Sequence, residues 1–335
     1  MHTPPPSVQM VQLLAGFQVS QALYATAKLG IPDQLAGGPR SADDVAVAVQ
    51  ADPTALARLL RTLTAFGVVT GAHTGQFELT DLGRTLVSDA PGSMRDLALM
   101  WMETHYGPFG GLVDTVRTGK CAADEYYGMP FFDWLSGEPE QVSRFSGAMA
   151  NLTDGIKAGA LASYDFGDAR AIVDVGGADG TLLAHVLTRL PEATGVVYDL
   201  PHVVTGVENV AKANDLADRL AGEAGDFFVS VPSGADTYVL SMILHDWDDA
   251  RVQIILSNIA RASSPGTRIR AFELVMPTGD EPHMAKMIDL TMLGMLSGRE
   301  RDEKQLQALF DQSGVRLDGI AQTGTPISVI EATVV

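Results

Sequence analysis

Three stretches of this chain bring together residue types that can do chemistry. The first, Val173-Asp174-Val175-Gly176-Gly177-Ala178-Asp179-Gly180, follows a β-branched run and precedes a helical one. Glycines at such a point permit a sharp strand-to-helix turn and let a ligand approach the backbone. A dinucleotide fingerprint requires glycine at its first, third and sixth places, which here hold Gly176, Ala178 and Thr181, and no Gly-Lys-Ser/Thr follows. Nicotinamide or flavin recognition through that motif is disfavoured, and a phosphate-cradling P-loop is excluded. The second stretch is acidic. Asp199 ends the next strand, where a carboxylate can accept hydrogen bonds from both ribose hydroxyls, and Asp226-Phe227 sets a carboxylate and an aromatic face where an adenine would lie. Carboxylates repel a pyrophosphate but bind a ribose and tolerate a cationic sulfonium, so the set suits a nucleoside without phosphates. Taken singly, Asp199 and Asp226 also read as solvated loop carboxylates.

The third stretch, Leu240-Ser241-Met242-Ile243-Leu244-His245-Asp246-Trp247-Asp248-Asp249, lies at a strand's C-terminal end, where open α/β sheets build their sites. A lone histidine is usually structural. His245 is favoured as functional because Glu273 ends the next strand and Glu300 follows it, and carboxylates beside an imidazole fix its tautomer and stabilise its cation. The other histidines, His2, His73, His105, His185, His202 and His283, are scattered without helical metal-ligand spacing, so no metal is expected.

These residues need a scaffold, and the chain alternates after residue 170. Ala171 to Val175 reads as a strand, Leu182 to Leu190 as a helix and Gly195 to Tyr198 as a strand. A helix near Val207 to Leu220, a strand at Thr237 to Ser241, a helix from about Asp249 to Arg261 and a strand at Arg268 to Val275 follow, and Gln305 to Val335 reads as a helix and two strands. Such alternation implies a doubly wound parallel sheet with helices on both faces. Earlier, Val8 to Leu35 reads as one long, largely buried helix, with Leu13, Leu14, Phe17, Leu23, Tyr24 and Ala27 at helical spacing. Ser41 with Asp44 caps a helix from Asp43 to Gln50, Asp52-Pro53 opens another ended by Gly67, and Val68 to Thr70 with Phe77 to Thr80 form a hairpin. Three helices and a hairpin describe a winged helix. The expected division is 1–90 winged helix, 91–165 helical segments and 166–335 sheet domain. Aromatic residues crowd the middle segment, among them Trp101, Tyr127, Phe131, Trp134 and Phe145 beside Met149. Core packing accounts for each singly, and together they are the best candidate lining for an aromatic-ligand pocket.

At 335 residues the chain is long enough for about two domains, and 46% hydrophobic with 19% charged residues is globular rather than disordered. The formal charge of −18 opposes binding to nucleic acid or anionic lipid, and the hairpin-bearing helix Pro53 to Phe66 carries only Arg58 and Arg61, so a structural or dimer-forming role is preferred over DNA reading. One cysteine, Cys121, permits no internal disulfide. The start, Met1 to Ser7, lacks a signal peptide's features, and no apolar run approaches a membrane span, so a cytoplasmic protein is expected.

The combination resembles the small-molecule O-methyltransferases that use S-adenosylmethionine, in particular the group with an N-terminal winged-helix dimerisation domain found in plant phenolic and bacterial natural-product pathways. The resemblance runs from Ser20-Gln21-Ala22-Leu23 through Val173 to Gly180, Tyr198-Asp199-Leu200-Pro201, Gly225-Asp226-Phe227-Phe228 and Leu244 to Asp249 to Gly298-Arg299-Glu300-Arg301. The His245-Asp246-Trp247 segment is specific to this group. The resemblance implies a Rossmann-like methyltransferase sheet, a homodimer, and S-adenosylmethionine as cofactor with S-adenosylhomocysteine as product. It implies that Asp174, Gly176, Gly177 and Gly180 support the methionine part, that Asp199, with Leu200 beside it, binds the ribose, and that Asp226 and Phe227 contact the adenine. Ser241 and Trp247 complete the cofactor set. By the same carry-over His245 is the general base, flanked by Glu273 and Glu300. Asp246, Asp289 and Met292 border an aromatic or phenolic substrate, with Trp101, Phe145 and Met149. Ala178 stands where many relatives carry glycine and is expected to shift the loop only slightly. Ser241 stands where relatives often place a long side chain. Members of this fold that keep the cofactor but decarboxylate or hydroxylate, and a ligand-responsive winged-helix regulator, are the alternatives.

Overall fold

A computed structural model describes residues 4–335, apart from the side chains at 154 and 155; Met1, His2 and Thr3, which entered the reading of the N-terminus, lie outside the described residues. In chain order the elements are α1 (Pro6–Leu14), α2 (Gly16–Lys28), α3 (Ile31–Leu35), β1 (Arg40–Ser41), α4 (Ala42–Val49), α5 (Pro53–Ala65), β2 (Val69–Thr70), β3 (Gln76–Leu79), α6 (Asp81–Arg84) and α7 (Arg95–Met100). A π-helical turn, Trp101–His105, and a short turn at Pro108–Gly111 lead to α8 (Leu112–Thr118), α9 (Ala122–Tyr127), α10 (Phe131–Ser136) and α11 (Pro139–Leu152). A second π-helical turn, Thr153–Lys157, precedes α12 (Ala158–Ser163). Then come β4 (Ala171–Val175), α13 (Thr181–Arg189), β5 (Thr194–Asp199), α14 (Val207–Ala213), β6 (Leu220–Ala224), β7 (Thr237–Ser241), α15 (Asp249–Ala262), β8 (Arg268–Glu273), α16 (Met284–Met295), α17 (Glu303–Gln312), β9 (Val315–Gln322) and β10 (Ser328–Val334). These divide into one compact unit of Met1–Gly107 with Pro139–Gly155 and another of Pro108–Glu138 with Ile156–Val335, so the stretch 91–165 is shared between them.

In the first unit, local chemistry sets the helix starts. The Ser41 hydroxyl accepts from the Asp44 N–H and the Asp52 carboxylate from the Ala55 N–H, each satisfying a donor that a helix N-terminus leaves open. Leu56, Leu60 and Leu63 bury one face of α5 against Ile31, Leu35, Val45, Phe77 and Leu79. The hairpin β2–β3 gains a third strand, since β1 pairs antiparallel with β3. Glu103 gathers Lys28, Tyr24, Gln141 and Arg144, tying α2 and α11 to the first π-helical turn. The long N-terminal helix expected from periodicity is three helices. The chain breaks at Ala15 and again at Gly30, which is left-handed at φ 68°, and no residue of α1 is buried. Val8, Met10, Val11, Leu13, Leu14 and Phe17 are exposed, so the apolar stripe has no cover within one chain.

The second unit carries a seven-stranded sheet in the order β6-β5-β4-β7-β8-β10-β9, parallel except that β10 runs antiparallel to β8 and β9. Alternate side chains feed two cores. Ile172, Val239, Phe272 and Val329 face α12, α13, α14 and α16, while Val173, Tyr238, Leu240 and Ile330 face α15 and α17. The helix expected to reach Leu220 ends at Ala213. Asp215 turns left-handed at φ 57° after Asn214, and Leu220–Ala224 becomes the edge strand β6, parallel to β5. The strand expected to reach Val275 ends at Glu273, and Val275 instead bridges to Arg301.

Candidate active site

The site residues of the second unit follow the C-terminal ends of β4, β5, β6, β7 and β8, apart from Asp289 and Met292 on α16 and Glu300 between α16 and α17. Beyond β4, Gly176 and Gly180 are left-handed, and a Cβ at Gly177 would stand 2.6 Å from the Asp174 carboxylate. Ala178 is itself left-handed at φ 51°. The consequence of that alanine is thus backbone strain rather than the bulk of its methyl. Two backbone donors hold the Asp199 carboxylate, the Ala178 N–H at 3.0 Å and the Leu200 N–H at 2.7 Å, so the residue expected at the ribose also locks the glycine turn. Asp174 is buried, and burial pushes its carboxyl up to about 7, Lys157 acting in the opposite sense.

After β7 the chain turns through left-handed Met242 into a 3-10 turn, Leu244–Asp246, that buries His245. Nδ1 of His245 lies 2.7 Å from Glu300 Oε1 and Nε2 lies 3.3 Å from Asp246 Oδ1. Glu273 Oε1 accepts from the N–H groups of Ile243 (3.0 Å) and Leu244 (2.8 Å), so this carboxylate holds the turn that carries the imidazole. Burial lowers the proton affinity of His245, but Asp246, Glu300 and Glu273 outweigh it and hold the ring near 10. Burial drives Asp246 up to about 6 and raises Glu273 and Glu300, each opposed by the imidazolium. His245, Glu273 and Glu300 each bring one potential ligand atom within 4.8 Å of the others. All three groups are already engaged, His245 Nδ1 and Glu300 with each other and Glu273 with the turn.

Asp289, on α16, accepts from the Glu300 N–H at 2.9 Å, which gives it a positioning contact in addition to the substrate role expected of it; Met292 on the same helix is buried. Trp247 packs edge-on to Phe228 at 4.7 Å and lies 6.1 Å from Phe227, with the Arg251 guanidinium over its ring at 5.2 Å. Asp226 is exposed and accepts from the Phe228 N–H. Trp101, Phe145 and Met149 belong to the first unit. Two residues escaped the sequence reading. Arg301, 3% exposed, donates to the carbonyls of Leu244 (2.8 Å), Trp247 (2.6 Å) and Arg299 and to Asp249, clamping the histidine turn from both ends. Its signal was adjacency to Glu300. Lys157, 8% exposed, was hidden in a segment that reads only as helix.

Residues 109–316 match the O-methyltransferase domain model and residues 11–89 the O-methyltransferase dimerisation domain model. The chain belongs to the S-adenosylmethionine-dependent O-methyltransferase family. It is 36% identical over 328 residues to the phenazine O-methyltransferase of Lysobacter antibioticus, covering 98% of this chain and 96% of that one. It is also 35% identical to the O-demethylpuromycin O-methyltransferase of Streptomyces alboniger (97% and 88% covered) and 30% identical to the aclacinomycin 10-hydroxylase of Streptomyces purpurascens (97% and 90%). Among solved structures it resembles LaPhzM, with a TM-score of 0.94 at 36% identity over 99% and 100% of the two chains. An O-methyltransferase from neocarzinostatin biosynthesis, in complex with S-adenosylmethionine and 2-hydroxy-5-methyl naphthoic acid, gives 0.80 at 31% over 95% and 96%.

The O-methyltransferase's residues fit that cofactor. Both oxygens of Asp174, the Ser241 hydroxyl, the Trp247 indole N–H and one oxygen each of Glu273 and Glu300 are buried without a hydrogen-bond partner. Buried polar atoms left open in this number, all from one sheet end, mark where a polar ligand completes the pairing. Their acidity matches a sulfonium and an ammonium.

Proposed function

We propose that this enzyme methylates a phenolic hydroxyl of an aromatic secondary metabolite, with His245 as general base. The observation that carries the reading is the 2.7 Å contact between His245 Nδ1 and Glu300 in a buried setting. A carboxylate at Nδ1 holds the proton there and leaves Nε2 to take the acceptor's proton. When bound, S-adenosylmethionine supplies the activated methyl group. Asp174 and the glycine turn would hold its methionyl part, Asp199 its ribose, and Asp226 and Phe227 its adenine, with Trp247 beside Phe227. A phenol of pKa about 10 is protonated at neutral pH. His245 takes that proton as the oxygen becomes a nucleophile, and Glu300 and Asp246 stabilise the resulting imidazolium. In the free protein these same carboxylates already favour a proton on the ring.

Support for an aromatic acceptor comes from the relatives, which act on phenazines, an aminohydroxybenzoate and a dihydroxynaphthoate. The dimerisation-domain match supports a homodimer. The hydroxylase relative keeps a second reading in view, a cofactor-retaining enzyme with other chemistry, and one experiment separates them. Incubation with methyl-labelled cofactor and a panel of phenolic acceptors is expected to yield labelled product. His245→Ala is expected to keep S-adenosylhomocysteine affinity and to lose turnover at neutral pH by about 10²- to 10⁴-fold. Product without label sinks the methyl-transfer reading, and normal turnover by the variant sinks the base.

A further inference from the structure

Lys157 is the buried cation that the mechanism leaves without work. It closes the Thr153–Lys157 turn and stands at the N-terminus of α12. Arg189 of α13 donates to the carbonyls of Leu161 and Tyr164 at the far end of α12, and Ile156 packs against the core on that face, so the lysine projects from a fixed base. Asp174, Glu273, Asp246 and Asp179 are the carboxylates whose charge it feels. Asp174 lies below the glycine turn on the sheet face that α12 covers.

The lysine and Asp174 are near enough to interact and yet unjoined, because both Asp174 oxygens lack a hydrogen-bond partner. Opposite charges buried at low dielectric attract strongly and close on each other unless the fold keeps a space between them. Both Asp174 oxygens are closed off from solvent, and the lysine, 8% exposed, makes no ion pair or hydrogen bond that would satisfy them. A buried cation and anion held open form a slot for a group carrying both charges, and an α-amino acid zwitterion is such a group. Ser241, at the end of β7, has a buried and unpartnered hydroxyl but no charge to meet a carboxylate.

We propose that Lys157 is a positioning residue that receives the carboxylate of the methionyl tail of S-adenosylmethionine, opposite Asp174 at the ammonium. The assignment rests on the family's cofactor and not on the acceptor or the base, so binding measured without acceptor tests it independently of His245. Calorimetry compares S-adenosylhomocysteine with its decarboxylated analogue, which keeps the adenosine, thioether and amine, on the full-length protein and on Lys157→Met and Lys157→Arg. The wild type is expected to prefer the carboxylate-bearing ligand. Lys157→Met weakens S-adenosylhomocysteine by roughly 10- to 100-fold, leaves the analogue within about twofold, and so removes the preference, while Lys157→Arg restores most of it. Unchanged preference in Lys157→Met overturns the proposal. So does an equal loss of both ligands with a lowered melting temperature, which is the signature of a merely structural lysine.

Discussion

At the scale of single residues, the site is a contest between burial and charge. His245 illustrates it: dehydration disfavours the imidazolium, and three carboxylates more than compensate, placing the ring near 10. The consequence is a rate that climbs with pH. For the wild type, kcat/KM is expected to rise from neutral into the alkaline range, because only the deprotonated ring accepts a proton and its pKa in the free enzyme lies above neutrality. Glu300→Gln removes one of the charges that raise it. The acid limb of the profile then moves to lower pH, while kcat at the alkaline plateau falls because the ring has lost its tether at Nδ1. An unmoved limb would show that Glu300 does not set the base.

At the scale of elements, the histidine turn is held by parts distant in sequence. Glu273, from the end of β8, takes the two N–H groups that open the turn, and Arg301 takes the carbonyls of Leu244 and Trp247. Gly298 closes from the other side, since a Cβ there would meet the His245 carbonyl at 1.9 Å. Arg301→Met leaves buried carbonyls unpaired and is expected to cost about 3 kcal/mol of stability and to reduce turnover. Arg299 shares the Asp249 partner, but its side chain is 46% exposed. Arg299→Met is accordingly expected to change stability by less than about 0.5 kcal/mol. Chemical denaturation of both variants checks the contrast, and equal losses would count against the clamp.

At the scale of the molecule, the dimerisation-domain match, which starts at residue 11, takes in Val11, Leu13 and Leu14 of the uncovered stripe of α1. Leu13 is 74% and Leu14 70% exposed in the isolated chain, a cost in water that the proposed second copy would remove. Sedimentation is expected to give twice the chain mass for the wild type and a shift toward the single chain for Leu13→Asp with Leu14→Asp. A double variant that stays dimeric would place the contact elsewhere.

What the sequence determined by itself is what local physics writes. Strand, glycine turn and helix around Gly176, the caps at Ser41 and Asp52, and the carboxylates at strand ends follow from turn chemistry and periodicity within a few residues. Family membership, read from the same motifs, was legible as well. Periodicity misled where the missing information was not local: an apolar face on α1 looks the same whether its cover is the same chain or another, and Leu220 reads as helix until β5 offers it a ladder. Only the tertiary structure decided that Arg301 clamps the histidine turn, that Asp289 holds the Glu300 backbone, and that Lys157 stands open against Asp174. Each depends on pairing between segments far apart in the chain. Side-chain type carries no record of which distant partner the fold will bring, or of a partner it will withhold.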